Sequence, residues 1–171
     1  MTENHPLIYY LDENNVIINT SEILAKQYIG KNYFDSTYDE MLKKILSKIF
    51  DAVRKKGSPF KTTYRCDNEV ELRLYELKIT PMVNNILKLK HELINTTKRE
   101  TKLNFSSTSD IIYTMCAWCN KIKYQDNFIE LEDAVNKMHL LEYNFLPKFS
   151  HGICPDCYTG LIKEIEEYEK K

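Results

Sequence analysis

Four of the five cysteines fall into two Cys-x-x-Cys pairs, Cys116 and Cys119 in MCAWCNK and Cys154 and Cys157 in SHGICPDC. Such a turn brings two sulfurs into one coordination sphere while nearby amides donate to the thiolates. Two turns together supply four soft ligands to one tetrahedral ion, with zinc the expected choice and a closed structural site the expected outcome. The 34 residues between Cys119 and Cys154 exceed the usual zinc-ribbon gap of about 15 to 20, so a helix is expected between the knuckles. His151, three residues before Cys154, either replaces a cysteine as ligand or donates to a thiolate. The second role is expected, because four sulfurs already satisfy the metal. Trp118 is expected to cover the site, and Gly152 and Pro155 to shape the second knuckle. Two other chemistries use the same residues. Cys154 and Cys157 precede a helix, where a lowered thiol pKa would favour dithiol cycling, and four cysteines also satisfy an iron–sulfur cluster. Two motifs able to meet favour a shared metal over thioredoxin-like chemistry, which expects one motif.

The rest of the composition narrows the setting. With 43% hydrophobic and 29% charged residues, the 171-residue chain reads as an ordinary globular protein rather than a disordered one. No apolar run approaches the roughly 20 residues needed to cross a bilayer, and MTENHP has no basic stretch followed by an apolar one, so a cytoplasmic location is expected. A reducing compartment makes metal binding or redox activity the better reading of paired cysteines than structural disulfides. From Cys116 onward there are seven Lys and ten Asp or Glu, a formal charge of −3 before any thiolate is counted. That balance makes nucleic acid an unlikely partner, since phosphate backbones demand clustered Lys and Arg. No nucleophile–base pair, phosphate-cradling glycine loop or catalytic acidic pair is present, so no enzyme is expected.

These residues need elements to position them. LIYYLD and VIINT flank an Asn-rich turn and predict a hairpin. Thr20 or Ser21 is expected to cap a short helix through ILAKQY, with Gly30 in the left-handed position after it. Thr37 and Glu40 form a capping-box pattern ahead of a longer helix whose apolar face is Met41, Leu42, Ile45, Leu46, Ile49, Phe50 and Val53, stopped by Gly57. Three extended stretches follow. Phe60, Thr62, Tyr64 and Cys66 share an inward face, and Leu87, Leu89, His91 and Leu93 alternate with charged residues. Between them the alternation slips, which predicts a bulge near Tyr75 and Glu76. KRETKLNFSSTSD reads as a linker. Phe128, Leu131, Val135 and Met138 predict a short helix, and Tyr158, Leu161, Ile162, Ile165 and Tyr168 form the stripe of a last one. That stripe either meets a partner or folds back on its own domain.

The order of two strands, short helices, a longer helix and three strands resembles the PAS domain over residues 7–97, with YIGKNYFD similar to the segment in which a Gly precedes the helical wall of the ligand pocket. The pattern CAWCNKIKY followed by LPKFSHGICPDC resembles a C-terminal module found after PAS or related sensor domains in bacterial signalling proteins. These resemblances imply an α+β fold: a PAS-like five-stranded antiparallel sheet with helices on one face, residues 98–110 as linker, and a small four-cysteine zinc module with helices over residues 111–171. They imply a signal-input or adaptor protein that senses a small ligand or mediates association, with a protein partner or self-association expected. The pocket candidates are Tyr64, Cys66, Tyr75 and His91. His91 and Cys66 are each expected to be ordinary core residues before they are ligands. Haem ligation by His91 is the sharper alternative, though no residue identifies a cofactor. The competing functions are a thiol redox sensor or oxidoreductase using the Cys-x-x-Cys pairs and, third, a nucleic-acid-binding zinc module.

Overall fold

The computed structural model describes residues 5–35, 39–68, 70–99, 107–138 and 145–171. A hairpin opens it, as the Asn-rich turn predicts. β1 (Leu7–Leu11) pairs antiparallel with β2 (Ile17–Thr20). The Asp12 carboxylate accepts from the amides of Asn14 and Val16 at 2.9 and 2.8 Å, and Asn15 takes the left-handed conformation at φ 62°. After β2 the expected helix is a single 3-10 turn, Leu24–Tyr28, without a side-chain cap. Its two candidate caps are used elsewhere. Thr20 is buried, and the Ser21 hydroxyl accepts from the Ile8 amide at 2.9 Å, which ties the turn to β1 instead.

Helix α1 (Glu40–Lys56) buries Leu42, Ile45, Leu46, Ile49, Phe50, Ala52 and Val53, while Met41, expected on this face, is 47% exposed. Thr37 of the expected capping box lies outside the described residues. Asp39 is the cap, its carboxylate accepting from the Leu42 amide at 2.7 Å. Gly57 ends the helix at φ 70°, the conformation for which glycine is preferred. Arg54 does more than offset the helix dipole. It donates to the Asp12 carbonyl at 2.7 Å and the Asn15 side chain at 2.9 Å, docking α1 on the hairpin turn.

Strands β3 (Phe60–Arg65), β4 (Glu71–Pro81) and β5 (Leu87–Lys98) complete a five-stranded antiparallel sheet of order β2-β1-β5-β4-β3. Leu77, Ile79, Leu87 and Leu89 meet the buried face of α1 in one core. The bulge falls where the sequence places it, between Leu74 and Tyr75. Those residues pair with Asn95 and Leu93, so the extra residue is Ile94 on the neighbouring strand.

The C-terminal part adds strands to the helices expected there. β6 (Ser107–Cys116) starts inside the expected linker, where Ser107–Asp110 are already strand, and β5 runs on to Lys98. A second sheet of order β8-β7-β6-β9 is built from β6, β7 (Ile122–Tyr124), β8 (Asn127–Ile129) and β9 (Phe145–Gly152), with β9 parallel to β6. Between β8 and β9 lies the expected short helix, α2 (Leu131–Lys137), with Phe128 in β8 rather than on it.

Helix α3 (Pro155–Lys170) starts two residues before Cys157 and packs on α1. Leu161 and Ile165 are buried in the same core as Phe50 and Phe60. The Tyr168 ring stands edge-on to Phe60 at 5.4 Å, and its hydroxyl donates to the Ser58 carbonyl. The apolar stripe therefore folds back on its own chain. Burial of two such side chains stabilises that docking by about 1.5–3 kcal/mol each.

Candidate metal centre and the cavity beside it

Strand β6 ends on Cys116, and the turn that follows is fixed at both sides. The Asn120 amide donates to the Cys116 carbonyl at 2.9 Å, and the Cys116 amide to the Lys121 carbonyl at 2.8 Å. Asn120 takes φ 60°, which its side chain tolerates better than most. The second knuckle lies alongside because β9 runs parallel to β6, and the Ala117 amide donates to the Gly152 carbonyl at 2.8 Å. Gly152 is favoured by close approach: a Cβ there would stand 2.8 Å from the Asp39 carboxylate and 3.0 Å from the Thr114 methyl, so one of them would have to shift. Cys154 then caps α3, and Pro155 occupies its first turn, where a missing N–H costs nothing.

The four Sγ atoms of Cys116, Cys119, Cys154 and Cys157 all lie within 4.8 Å of one another. Cys119 and Cys154 are 3.8 Å apart. Four ligands held at about 2.3 Å from a zinc ion at tetrahedral angles would be separated by about 3.8 Å, whereas a disulfide needs about 2.05 Å. All five cysteines are free thiols. So compact a set has room for one ion and not for the several iron and sulfide atoms of a cluster. Backbone donors point at the sulfurs, with the Cys154 amide 3.3 Å from Cys116 Sγ and the Cys157 amide 3.4 Å from Cys154 Sγ. Hydrogen bonds from the thiols of Cys119 and Cys157, then from the Cys154 amide, hold Cys116 far below the ordinary thiol range against the effect of burial. Sharing with Cys116 pushes Cys119 up to about 12 and raises Cys157 as well. Four thiols competing around one buried negative charge is the electrostatic situation that a cation resolves. The set fits zinc in ligand type, count and spacing.

His151 is not one of the four metal-competent side chains; it is exposed on β9. It borders a different feature, a cavity of about 590 Å³ between the first sheet, α1 and the first Cys-x-x-Cys turn. Its walls include Tyr9, Tyr33, Tyr64, His91 and, from the metal turn itself, Ala117 and Trp118. No protein-family model matches the chain, and the search of curated proteins found no match.

Of the residues expected at a pocket, the structure brings together Tyr64 and His91, whose Oη and Nδ1 are 2.8 Å apart. Tyr75, opposite Tyr64 on the neighbouring strand, stacks on the Tyr64 ring at 5.6 Å but does not line the cavity. Cys66, expected on the inward face, is exposed. The strand ends at Arg65, whose amide donates to the Trp118 carbonyl at 2.7 Å, so the alternation does not carry through to Cys66. Burial lowers His91 to about 4 and raises the Tyr64 and Tyr33 hydroxyls, so all three are neutral near pH 7. Tyr33 lies in YIGKNYFD, the segment read as leading into a pocket wall, while nothing in the sequence marked Tyr9 or the cavity role of Trp118.

The metal turn is clamped to the first sheet by a charged network. The Asp67 side chain, 3% exposed, pairs with Arg65 and with the Arg99 side chain, 2% exposed. Arg65 reaches Glu130 at 2.9 Å and Arg99 pairs with Glu132, both acids flanking the start of α2. The Asn120 carboxamide, oriented to satisfy its neighbours, donates to the Arg65 carbonyl at 3.1 Å and accepts from the Asp67 amide at 2.7 Å.

Proposed function

We propose that this chain is a cytoplasmic signal-input or adaptor protein in which a PAS-like sensor domain, residues 7–97, is read out by a structural zinc module, residues 111–171. One observation carries the reading: Ala117 and Trp118, between the ligating Cys116 and Cys119, form a wall of the same cavity as Tyr64 and His91. The five-stranded antiparallel sheet with α1 on one face agrees with what the PAS resemblance implies. Cys116, Cys119, Cys154 and Cys157 would hold the zinc, which supplies a rigid cross-link between the two knuckles. The chain's own residues do the coupling. The Arg65 amide grips the Trp118 carbonyl, and Asn120 grips Arg65 and Asp67, so a displacement of Trp118 moves β3 and the metal turn together. A protein partner or second copy would read that displacement at the module's surface.

The test uses the zinc-loaded full chain and a library of neutral, anionic and cationic small molecules. Linkage is reciprocal, so a compound bound against Trp118 should change the zinc affinity severalfold, read by equilibrium competition with a chromogenic chelator. Absence of any binder, or binders that leave the zinc affinity unchanged, would overturn the reading. Purified protein with two disulfides in place of zinc would favour the oxidoreductase reading instead.

A further inference from the structure

β3 is an edge strand, and most of its free edge has no partner among the described residues. The Arg65 amide points away from β4, since it donates to the Trp118 carbonyl at 2.7 Å. Along an antiparallel strand, alternate residues exchange both backbone bonds with one neighbour and the residues between them present both groups to the other side. The N–H and C=O groups of Thr63 and Lys61 therefore point the same way as the Arg65 amide. Both residues are exposed, and no hydrogen bond reaches these groups from the described residues. The opposite edge of the sheet is closed. On β2 the Ile17 amide donates to the Lys31 carbonyl at 2.9 Å, and the Ile17 carbonyl accepts from the Gly30 amide at 2.8 Å. A lysine often blunts an open edge, but Lys61 Nζ is drawn onto the sheet by Glu76 of β4 at 3.1 Å.

Beside this edge lies a groove of about 490 Å³ whose other wall is α3. Its charged residues are Lys61, Glu76, Glu164, Glu167 and Lys171. Lys61 and Glu76 satisfy each other, which leaves two carboxylates against one ammonium, and Glu164 and Glu167 have no ion pair among the described residues. We propose that the β3 edge takes an extended peptide segment of a partner protein as an added strand, with Lys or Arg side chains of that segment facing Glu164 and Glu167. The backbone selects the conformation, because the paired donors and acceptors of Lys61 and Thr63 match an extended chain. The carboxylates select its charge. They also disfavour a second copy, since pairing two β3 strands about a two-fold axis would bring Glu164 and Glu167 of each copy towards those of the other. The groove is separate from the cavity, so this partner site goes beyond the sensor reading and does not depend on it.

The test uses the zinc-loaded, ¹⁵N-labelled full chain with the peptide acetyl-Thr-Lys-Val-Lys-Thr-amide and its counterpart with Glu in place of Lys. In the free chain the Lys61 and Thr63 amides should exchange with solvent at least about tenfold faster than those of Thr62 and Tyr64, which by the same alternation face β4. The lysine peptide should move the Lys61 and Thr63 amide protons downfield and slow their exchange. The glutamate peptide should bind at least about threefold more weakly, as a surface ion pair allows. N-methylation of one alternate set of peptide amides should weaken binding about tenfold and of the other set hardly at all, because only one set can face β3. Thr63→Pro removes an edge-facing N–H and leaves the pairing with β4 intact, so it should keep the fold and weaken the lysine peptide about fivefold. The methylated peptides give the same reading on the unaltered chain. No shift with the lysine peptide at millimolar concentration, equal effects of the two methylated sets, equal or tighter binding of the glutamate peptide, or binding indifferent to Thr63→Pro would each overturn the inference. Protection of the Lys61 and Thr63 amides that rises with protein concentration alone would also overturn it, giving the edge to a second copy.

Discussion

Replacing Asp67 by alanine should loosen the module from the sheet. The carboxylate is 3% exposed and faces Arg99, 2% exposed, at 3.3 Å, and it also accepts from the Arg73 amide at 2.9 Å. Removing it strands a buried guanidinium, and breaking a buried pair from one side costs about 3–5 kcal/mol. The lower end applies here, because Arg99 keeps Glu132 and the Asn68 carbonyl, the latter at 2.9 Å. A loss of about 3 kcal/mol is a large share of the roughly 5–15 kcal/mol typical of a folded domain. With a urea m-value of about 2 kcal/mol/M, the midpoint should fall by about 1.5 M. Trp118, the sole tryptophan, supplies the fluorescence signal from inside the clamped turn. Adding Arg99→Met should restore part of the loss, since it removes the stranded charge. A midpoint shift under about 0.5 M, the range of a surface ion pair, or a double variant worse than the sum of the singles, would refute the clamp.

Four further outcomes are expected. His91 titrates at about 4 in the folded chain against 6.5 unperturbed, so the unfolded state binds the extra proton between those values. Stability should therefore rise with pH across that window, and be lost as pH falls through it by about 3 kcal/mol. The His91 imidazole resonances should stay at their neutral positions from pH 7.5 to 5.5, and titration in that range would contradict the burial argument. A thiol reagent should react at once with one cysteine per chain, the exposed Cys66, and with four more only after a strong chelator is added; five fast thiols would argue against a bound metal. Gly152→Ala should push the Asp39 carboxylate off the start of α1 and cost about 1 kcal/mol by loss of the cap, seen in denaturation curves. Leu161→Ala should cost about 2–5 kcal/mol if α3 is docked as described, whereas an unchanged midpoint would mean the stripe is free.

The elements with a local signature were legible from sequence. α1 showed a long helical period and a glycine stop, and the two Cys-x-x-Cys pairs pointed to a cluster of four sulfurs that could hold one ion. The slip of phase in β4 located the bulge, yet the extra residue is Ile94 on β5, which only the pairing of the two strands decides. β7 and β8 have three residues each, too few to display alternation, and β9 reaches β6 across the chain, so the second sheet left no periodic trace. Nothing in the sequence around Asp67 and Arg99 says that their side chains are buried against each other. Trp118 was read as a cover for the four-cysteine site; the structure places it in the wall of the cavity.

The central claim is that one zinc ion is held by Cys116, Cys119, Cys154 and Cys157. Zinc-edge X-ray absorption on the freshly purified full chain, with metal content measured on the same sample, tests it most directly. One zinc per chain surrounded by four sulfurs at about 2.3 Å is the expected result. A shell containing nitrogen or oxygen, fewer than four sulfurs, or no stoichiometric metal would contradict it.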